Sequence, residues 1–568
     1  MPTVTINDRT VEVETGTNLV DAGLKVGVQI PHYCYHPRLS IVGQCRMCLV
    51  EIEVGGRKMP KLQAGCSTLV ERDGMVVRTD TPEVVEAQKG MMEFLLINHP
   101  LDCPICDQAG ECALQDYSFK HGAAYSRFKF EDKRTYPGRE RIPLGGNVIL
   151  NMNRCIQCTR CVRFTHEVAG TGELGFFNRG ARTEIGTFPG KELDNHLATC
   201  VVDICPVGAL TSTRFRFAER VFYLDKKPSL CTGCEVGCNI TVEHRRGKIK
   251  RYKPRFNPEV NDYWMCDYGR STFERYQRLP RLASPRLRSA HVGNGAGSAA
   301  PAEAGAPTGW KEALDAVAAG LRNAQGPVVF LGSGSLTVEE AWLAGKVADA
   351  VGTPHRPLPV DLGPLWTIPN LKGGVAGREQ APNRRGVELA GLRPGAGSVT
   401  PEALLGGEGA AKAGAVVVCD SDFGAAAHEP AVVERLRRAP FLVVIGWADT
   451  PLARAADVAL PVATHVEKSG VFVNVQWRAQ RFDAAFPPPG MVRPGVEVWA
   501  ELLARFDGSR PKAVQAAEVF DRLAAELPAF AGLTFDSLRA TGAPLNVPEA
   551  AAPLAPPAGH EGIAQVQG

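Results

Sequence analysis

Alternation comes first along this chain. VTINDRTVEV (residues 4–13) places apolar residues at a period of two, which predicts a pair of strands with Asn7 and Asp8 turning the hairpin between them. GTNLVDAGLKVG then predicts a short helix opened near Thr17. A longer helix is predicted at about 82–97, where Val84, Val85, Met91, Met92, Leu95 and Leu96 recur at helical spacing behind Thr81 as N-cap and Pro82 in the first turn. Residues 113–270 carry few long periodic segments. From 310 to about 540, the apolar runs PVVFL (327–331), AVVVC (415–419) and FLVVI (441–445) alternate with Ala/Leu-rich helical stretches, the pattern of an α/β domain with a largely parallel sheet. SAHVGNGAGSAAPAEAGAPTG (289–309) has little to bury and is expected to be a flexible linker or surface excursion, and the Ala/Pro-rich final stretch is expected to be disordered.

Composition narrows the class. A chain of 568 residues has room for several domains. With 64 basic and 61 acidic residues its net charge is +3, so no electrostatic footprint points to nucleic acid or an anionic membrane. The longest apolar runs, such as APFLVVIGW (439–447), are too short to span a bilayer, and MPTVTINDRTVEV has no charged segment followed by an apolar one. The expectation is a cytosolic chain, or one bound to a membrane only through other proteins.

Cysteine is the strongest signal. Sixteen of the 17 cysteines lie in residues 1–266 and only Cys419 beyond, at the end of a predicted buried strand, where a small core residue is the expected role. In a cytosolic chain such clustering suggests metal rather than disulfides. The first set, Cys34, Cys45, Cys48 and Cys66, has a long loop, a CxxC pair and a distant fourth thiol, the arrangement that wraps a two-iron cluster; a four-cysteine zinc site is the alternative. The second set lies in HPLDCPICDQAGEC: His99, Cys103, Cys106 and Cys112. Three thiolates and one imidazole also satisfy zinc, and nothing local excludes it.

The third set is Cys155, Cys158 and Cys161 of CIQCTRC, with Cys205 in a later Cys-Pro. CxxCxxC is a four-iron signature whose two-cluster versions place a further cysteine after three intervening residues, serving the other cluster. Here that position is Thr165, and Asn195, Ala198 and Val201 stand where a second run would be, so one cluster is expected, completed by Cys205. Cys200 is out of register and is expected to be a structural or free thiol. The fourth set, Cys231, Cys234, Cys238 and Cys266, suits another four-iron cluster, with an all-cysteine zinc site as the alternative.

The segments IPHYCYHPRLSIVGQCRMCLVEIE, LLINHPLDCPICDQAGECALQDYS, NRCIQCTRCVRF and DICPVGALTS together resemble the large iron-sulphur (G) subunit of bacterial NADH-quinone oxidoreductase, respiratory complex I. The resemblance implies a multidomain chain: an α+β two-iron ferredoxin-like domain (1–80), a four-iron domain with one histidine and three cysteine ligands (81–120), a single four-iron ferredoxin-like domain (121–222), the four-iron segment (223–285) of a molybdopterin-oxidoreductase-like domain, a linker (286–309), the α/β remainder of that domain (310–540) and a disordered tail (541–568). It also implies that His99 is a cluster ligand, that the chain holds one 2Fe-2S and three 4Fe-4S clusters, and that it relays electrons from a flavin- and NADH-binding partner towards quinone. The partners would be that flavin-carrying protein and other peripheral-arm subunits. The location would be peripheral, on the cytoplasmic side of the bacterial inner membrane, with no catalytic site of the chain's own. The complex as a whole would couple this electron flow to proton translocation.

The C-terminal half resembles molybdopterin enzymes more faintly, through APNRRGVELAGLRPG (381–395) and ADVALPVATHVEKSGVFVNVQWRAQ (456–480). Catalytic relatives follow the last cluster cysteine with CxKG, whereas Cys266 is followed by Asp267, Tyr268 and Gly269. Tyrosine supplies no fixed positive charge, so a scaffold without molybdenum is expected. GSGSLT after PVVFL starts like a dinucleotide loop, but Thr337 stands at the third glycine, so an ordinary strand-to-helix turn is expected and no NAD or flavin in this chain. The alternative function, a catalytic subunit of an NAD-linked formate dehydrogenase or an iron-only hydrogenase, lacks the second cluster, the lysine and any cysteine-rich motif after residue 270.

Overall fold

The computed structural model describes residues 1–288, 305–359, 362–368, 375–420, 429–509, 514–539 and 541–547. It divides into two compact units, Met1–Leu224 and Asp225–Gly568.

The first unit opens with the expected hairpin: Thr3–Ile6 pairs antiparallel with Arg9–Glu12. Asn7 and Asp8 both hold positive φ (45° and 67°), the backbone a two-residue hairpin turn requires. Thr3–Ile6 also runs parallel to Met75–Arg78, which pairs antiparallel with Leu49–Val54. Val4, Ile6, Val50, Ile52 and Val77 turn inward onto Leu19 and Val20 of the helix Leu19–Lys25. Each such fully buried side chain contributes about 1.5–3 kcal/mol. The helix is capped one residue later than expected, by Asn18, whose side-chain oxygen accepts from Asp21 N.

Thr81 caps the helix Pro82–Leu96, which buries Val84, Gln88 and Met92 at i, i+4 and i+8 while Val85 is exposed. The apolar stripe is therefore narrower than the sequence pattern and includes a glutamine, whose amide donates to Leu49 O. Further on, Val148–Leu150 pairs with Ile142–Pro143 and Leu210–Ser212, beside the helices Arg160–Glu167 and Cys200–Ile204.

The second unit begins with an antiparallel sheet, Asp225–Leu230, Asn239–Arg245 and Lys248–Pro254. Its α/β part carries the strands Val328–Leu331, Ala415–Val418, Leu442–Gly446 and Val458–Pro461 in parallel. Alternate residues face opposite sides. Phe330, Val417, Val443 and Leu460 join the core under the helices Trp310–Arg322 and Val338–Val351, while Val329, Leu331, Val416, Val418 and Val444 join a second core with Leu404, Leu436 and Leu452. Burial on both faces is why these strands read as continuous apolar runs.

Two boundaries need correction. The linker expected over 286–309 begins and ends in sheet: Arg286–Leu287 and Ala306–Pro307 pair with each other, and Arg286–Leu287 pairs with Val458–Pro461. The tail expected from 541 begins with a strand, Ala543–Pro544, paired with Arg478–Phe482. In both places short edge pairing is made with distant strands, which leaves no local pattern to read. Residues 289–304 of the linker and 548–568 of the tail lie outside the described residues.

Candidate iron-sulphur sites

In the first set four sulphurs converge. Cys34 lies within hydrogen-bond reach of Cys45 and Cys66, and Cys48 within reach of Cys66. Those bonds hold the Cys34 and Cys48 thiols below their ordinary range and push Cys45 and Cys66 above it. Cys45 N donates to Cys34 Sγ at 3.5 Å. Arg46, between the CxxC cysteines, holds φ 56°, the left-handed turn that lets a short segment bend around its sulphurs.

His99 stands just past the helix Pro82–Leu96, its backbone N–H donating to Leu96 O at 3.1 Å. Lys133 Nζ covers the same helix end, donating to Leu96 O at 2.8 Å and Ile97 O at 3.0 Å. Burial favours the neutral imidazole, pulling its pKa down to about 4, with Asp102 opposing and Arg154 and Lys133 adding. Its Nδ1 is buried without a hydrogen-bond partner among the described residues. Cys103 is exposed and opens the turn Cys103–Ile105, while Cys106 is buried and Cys112 caps the helix Ala113–His121. Burial pushes the Cys112 thiol up to about 11, the neighbouring Cys106 and Cys103 adding to it.

Cys155, Cys158, Cys161 and Cys205 line a single apolar pocket with Leu150, Ile185 and Val207. Gln157 and Thr159 hold positive φ (55° and 67°) on either side of Cys158, and Gln157 N donates to Cys155 Sγ at 3.3 Å. Burial raises all four thiols, Cys205 to about 12. Cys200 is buried but does not line this pocket.

In the second unit burial raises the thiols of Cys231 and Cys234, and the neighbouring Cys266 adds to both. Cys238 is buried and its carbonyl accepts from Cys231 N at 2.8 Å. Gly233 N donates to Cys231 Sγ at 3.4 Å and Gly269 N to Cys266 Sγ at 3.3 Å. A Cβ on Gly269 would sit 2.9 Å from Cys231 Sγ, so the glycine leaves room at the sulphurs. Tyr268 donates its hydroxyl to Gln380 at 3.2 Å.

The donor sets fit iron-sulphur clusters. Buried thiols gathered in sets of four, or three with an imidazole, are the donors such clusters take, and N–H···S bonds are how a protein adjusts them. Among the described residues no three His, Cys, Asp or Glu side chains stand close enough to share one metal ion.

Several residues at these sites were not singled out from the sequence. Arg154 Nε and Nη2 donate to Asp102 Oδ2, joining the segment before Cys155 to the segment before Cys103. A Cβ on Gly208 would lie 2.2 Å from Cys106 Sγ. Arg160 and Arg163 reach the first set's loop. The available signal was position: Arg154 abuts CxxCxxC, Arg160 and Arg163 lie one helical turn apart beside it, and Gly208 follows the Cys-Pro.

Five family models match. A 2Fe-2S iron-sulfur cluster binding domain covers residues 1–82, and an NADH-ubiquinone oxidoreductase-G iron-sulfur binding region covers 88–127. The ferredoxin-like domain of NADH-quinone oxidoreductase subunit 3 covers 145–211. A molybdopterin oxidoreductase Fe4S4 domain covers 224–278 and a molybdopterin oxidoreductase domain 397–505. The G subunit of NADH-quinone oxidoreductase from Streptomyces coelicolor is 42% identical over 348 residues, 61% of this chain and 39% of that protein. Its counterpart from Rickettsia bellii is 41% identical over 340 residues, 60% of this chain and 46% of that protein. The mitochondrial NADH-ubiquinone oxidoreductase 78 kDa subunit of Neurospora crassa is 42% identical over 364 residues, 63% of this chain and 46% of that protein. The chain thus spans less than half the length of these relatives. A chain in the crystal structure of an NAD+-reducing [NiFe]-hydrogenase in the H2-reduced state is 30% identical, covering 39% of this chain and 91% of that one, with a TM-score of 0.34, at which no common fold follows. The chain carries 2Fe-2S and 4Fe-4S binding domains, and over the aligned part it is a homologue of the G subunits of NADH-quinone oxidoreductases.

Proposed function

We propose that this chain is an electron-relay subunit of an NADH-quinone oxidoreductase, receiving electrons from a flavin- and NADH-binding subunit and delivering them towards the quinone side. Cys34, Cys45, Cys48 and Cys66 would hold a 2Fe-2S cluster. His99, Cys103, Cys106 and Cys112 would hold a 4Fe-4S cluster, as would Cys155, Cys158, Cys161 and Cys205, and Cys231, Cys234, Cys238 and Cys266. Bound clusters would supply one-electron oxidation and reduction. The chain's residues set their spacing, burial and local charge.

The observation that carries this reading is that three ligand sets share one compact unit and are tied together through the third. Arg163 bonds the carbonyls of both Cys34 and Cys158, and Arg154 bonds Asp102 beside Cys103. A relay needs fixed, short separations, and side chains that join one ligand loop to the next provide them.

No helix among the described residues is long and apolar enough to cross a membrane, which suits a peripheral subunit held at the bilayer by partners. Tyr268, neutral where catalytic molybdopterin enzymes keep a lysine, supports a C-terminal domain that works as scaffold without molybdenum.

The test is reduction by NADH followed by low-temperature EPR. The purified chain alone should stay oxidised and become reduced when the flavin-containing partner is added. Reduction by NADH or formate of the chain alone would contradict the proposal.

A further inference from the structure

The loop between Cys34 and Cys45 is held by the third set's helix. Ser40 N donates to Glu167 Oε2 at 2.7 Å and Ser40 Oγ to Glu167 Oε1 at 2.5 Å. Gln44 Nε2 donates to Gln157 O at 3.1 Å. Arg160 donates from Nη2 to Tyr35 O and from Nη1 to Ile204 O at 3.1 Å, next to Cys205. Arg163 does most: Nη1 donates to Ser40 O, Nη2 to Cys34 O at 2.5 Å and to Cys158 O at 3.5 Å, and Nε to Thr159 Oγ1 at 3.0 Å. One buried guanidinium thus joins the peptide carbonyls of a ligand from each of two sets.

We propose that Arg163 is a positioning residue shared by the first and third ligand sets: it locks the Cys34–Cys45 loop onto the Cys158 turn and places a fixed positive charge between the clusters each set would hold, raising both reduction potentials. The chemistry follows from the guanidinium. It is always charged, and its planar fork of donors satisfies several carbonyls at once. A buried cation beside a cluster favours the state carrying one more electron, and low-dielectric surroundings strengthen that effect.

The inference rests on the cluster reading above, and the experiment separates the two. The full chain and its Arg163→Gln and Arg163→Lys variants are purified anaerobically and titrated by potential-controlled EPR. If wild-type chain shows no cluster signals, the cluster reading itself fails. With signals present, Arg163→Gln should lower the reduced-to-oxidised ratio of both the two-iron and the third-set signals about tenfold at fixed potential, a shift of about 59 mV for a one-electron couple. Arg163→Lys, which keeps the charge, should recover most of it. Unmoved midpoints in Arg163→Gln at full signal intensity, or a shift in one signal alone, would overturn the proposal. Should Arg163→Gln lose its clusters, hydrogen exchange in Arg163→Lys decides: a lysine cannot span Ser40, Cys34 and Cys158 together, so amides of residues 35–45 should exchange faster, and unchanged exchange would refute the positioning role.

Discussion

Arg154 donates from Nε and Nη2 to one oxygen of Asp102, at 2.9 and 2.6 Å, although 52 residues separate them. Arg154 precedes Cys155 and Asp102 precedes Cys103, so a single ion pair joins the third ligand set to the second. The arginine side chain is 5% exposed and the aspartate 26%. Breaking such a pair from one side leaves a buried charge without its partner, at about 3–5 kcal/mol when both are fully buried. Because Asp102 is partly hydrated, Asp102→Asn should cost about 2 kcal/mol. Urea unfolding that monitors the first unit measures it, and no loss of stability would show the pair to be dispensable.

Gly208→Ala tests the contact between the same two sets from the other side. An added Cβ would lie 2.2 Å from Cys106 Sγ and 3.1 Å from Gln108 Cβ. Overpacking of this kind costs about 1–3 kcal/mol, and here the atom displaced is a ligand sulphur. The expected outcome is loss of the second set's EPR signal and of about four iron per chain, with the other signals retained.

His99→Cys should retain a cluster and lower its potential by on the order of 100 mV, because a thiolate adds one negative charge where a neutral imidazole stood. The neutral form is favoured by burial, which brings the His99 pKa down to about 4. Redox titration reads the shift, and an unchanged potential would count against His99 as a ligand.

Cys200 and Cys205 should behave oppositely although five residues apart. Cys205 lines the third set's pocket and Cys200 does not. Cys205→Ala should lose about four iron per chain, whereas Cys200→Ala should keep all of it and cost about 1 kcal/mol of packing.

The second unit should be most stable in acid, near pH 4.5. Burial pushes Glu339 up to about 8 from 4.5 and pulls His465 down to about 3 from 6.5. Above pH 4.5 the unfolded chain loses a proton that Glu339 keeps, so stability drains away as pH rises towards 8. Below pH 6.5 the unfolded chain takes up a proton that His465 refuses, so stability drains away as pH falls towards 3. Burial likewise raises Glu379 to about 7, so between 4.5 and 6.5 His465 offsets only one of the two carboxylates and stability falls as pH rises, each group contributing up to about 1.4 kcal/mol per pH unit. Unfolding curves across pH check this: Glu339→Gln should shallow the alkaline limb, leaving the part due to Glu379, and His465→Asn should remove the acid one.

Local chemistry made much of this fold legible. The Asn7-Asp8 turn, Thr81 and Pro82 at a helix start, and the continuous valine runs of the parallel strands each act within a few residues. Thr337 was readable in the same way: where a dinucleotide loop would have glycine it caps the helix Val338–Val351, with Glu340 completing a capping box. What escaped is long-range. Arg154, Arg163 and Gly208 act on residues far away in sequence, and the edge strands at 286–287, 306–307 and 543–544 are too short to show a period. Likewise Val85 follows the apolar pattern but is exposed, while Val84, Gln88 and Met92 form the fully buried stripe of its helix.

The central claim, that these sixteen ligands hold clusters rather than zinc, is tested most directly by assaying iron, zinc and acid-labile sulphide on the anaerobically purified chain. One two-iron and three four-iron clusters require about 14 iron and as many sulphides per chain. Zinc at about one ion per ligand set, with no labile sulphide, would contradict it.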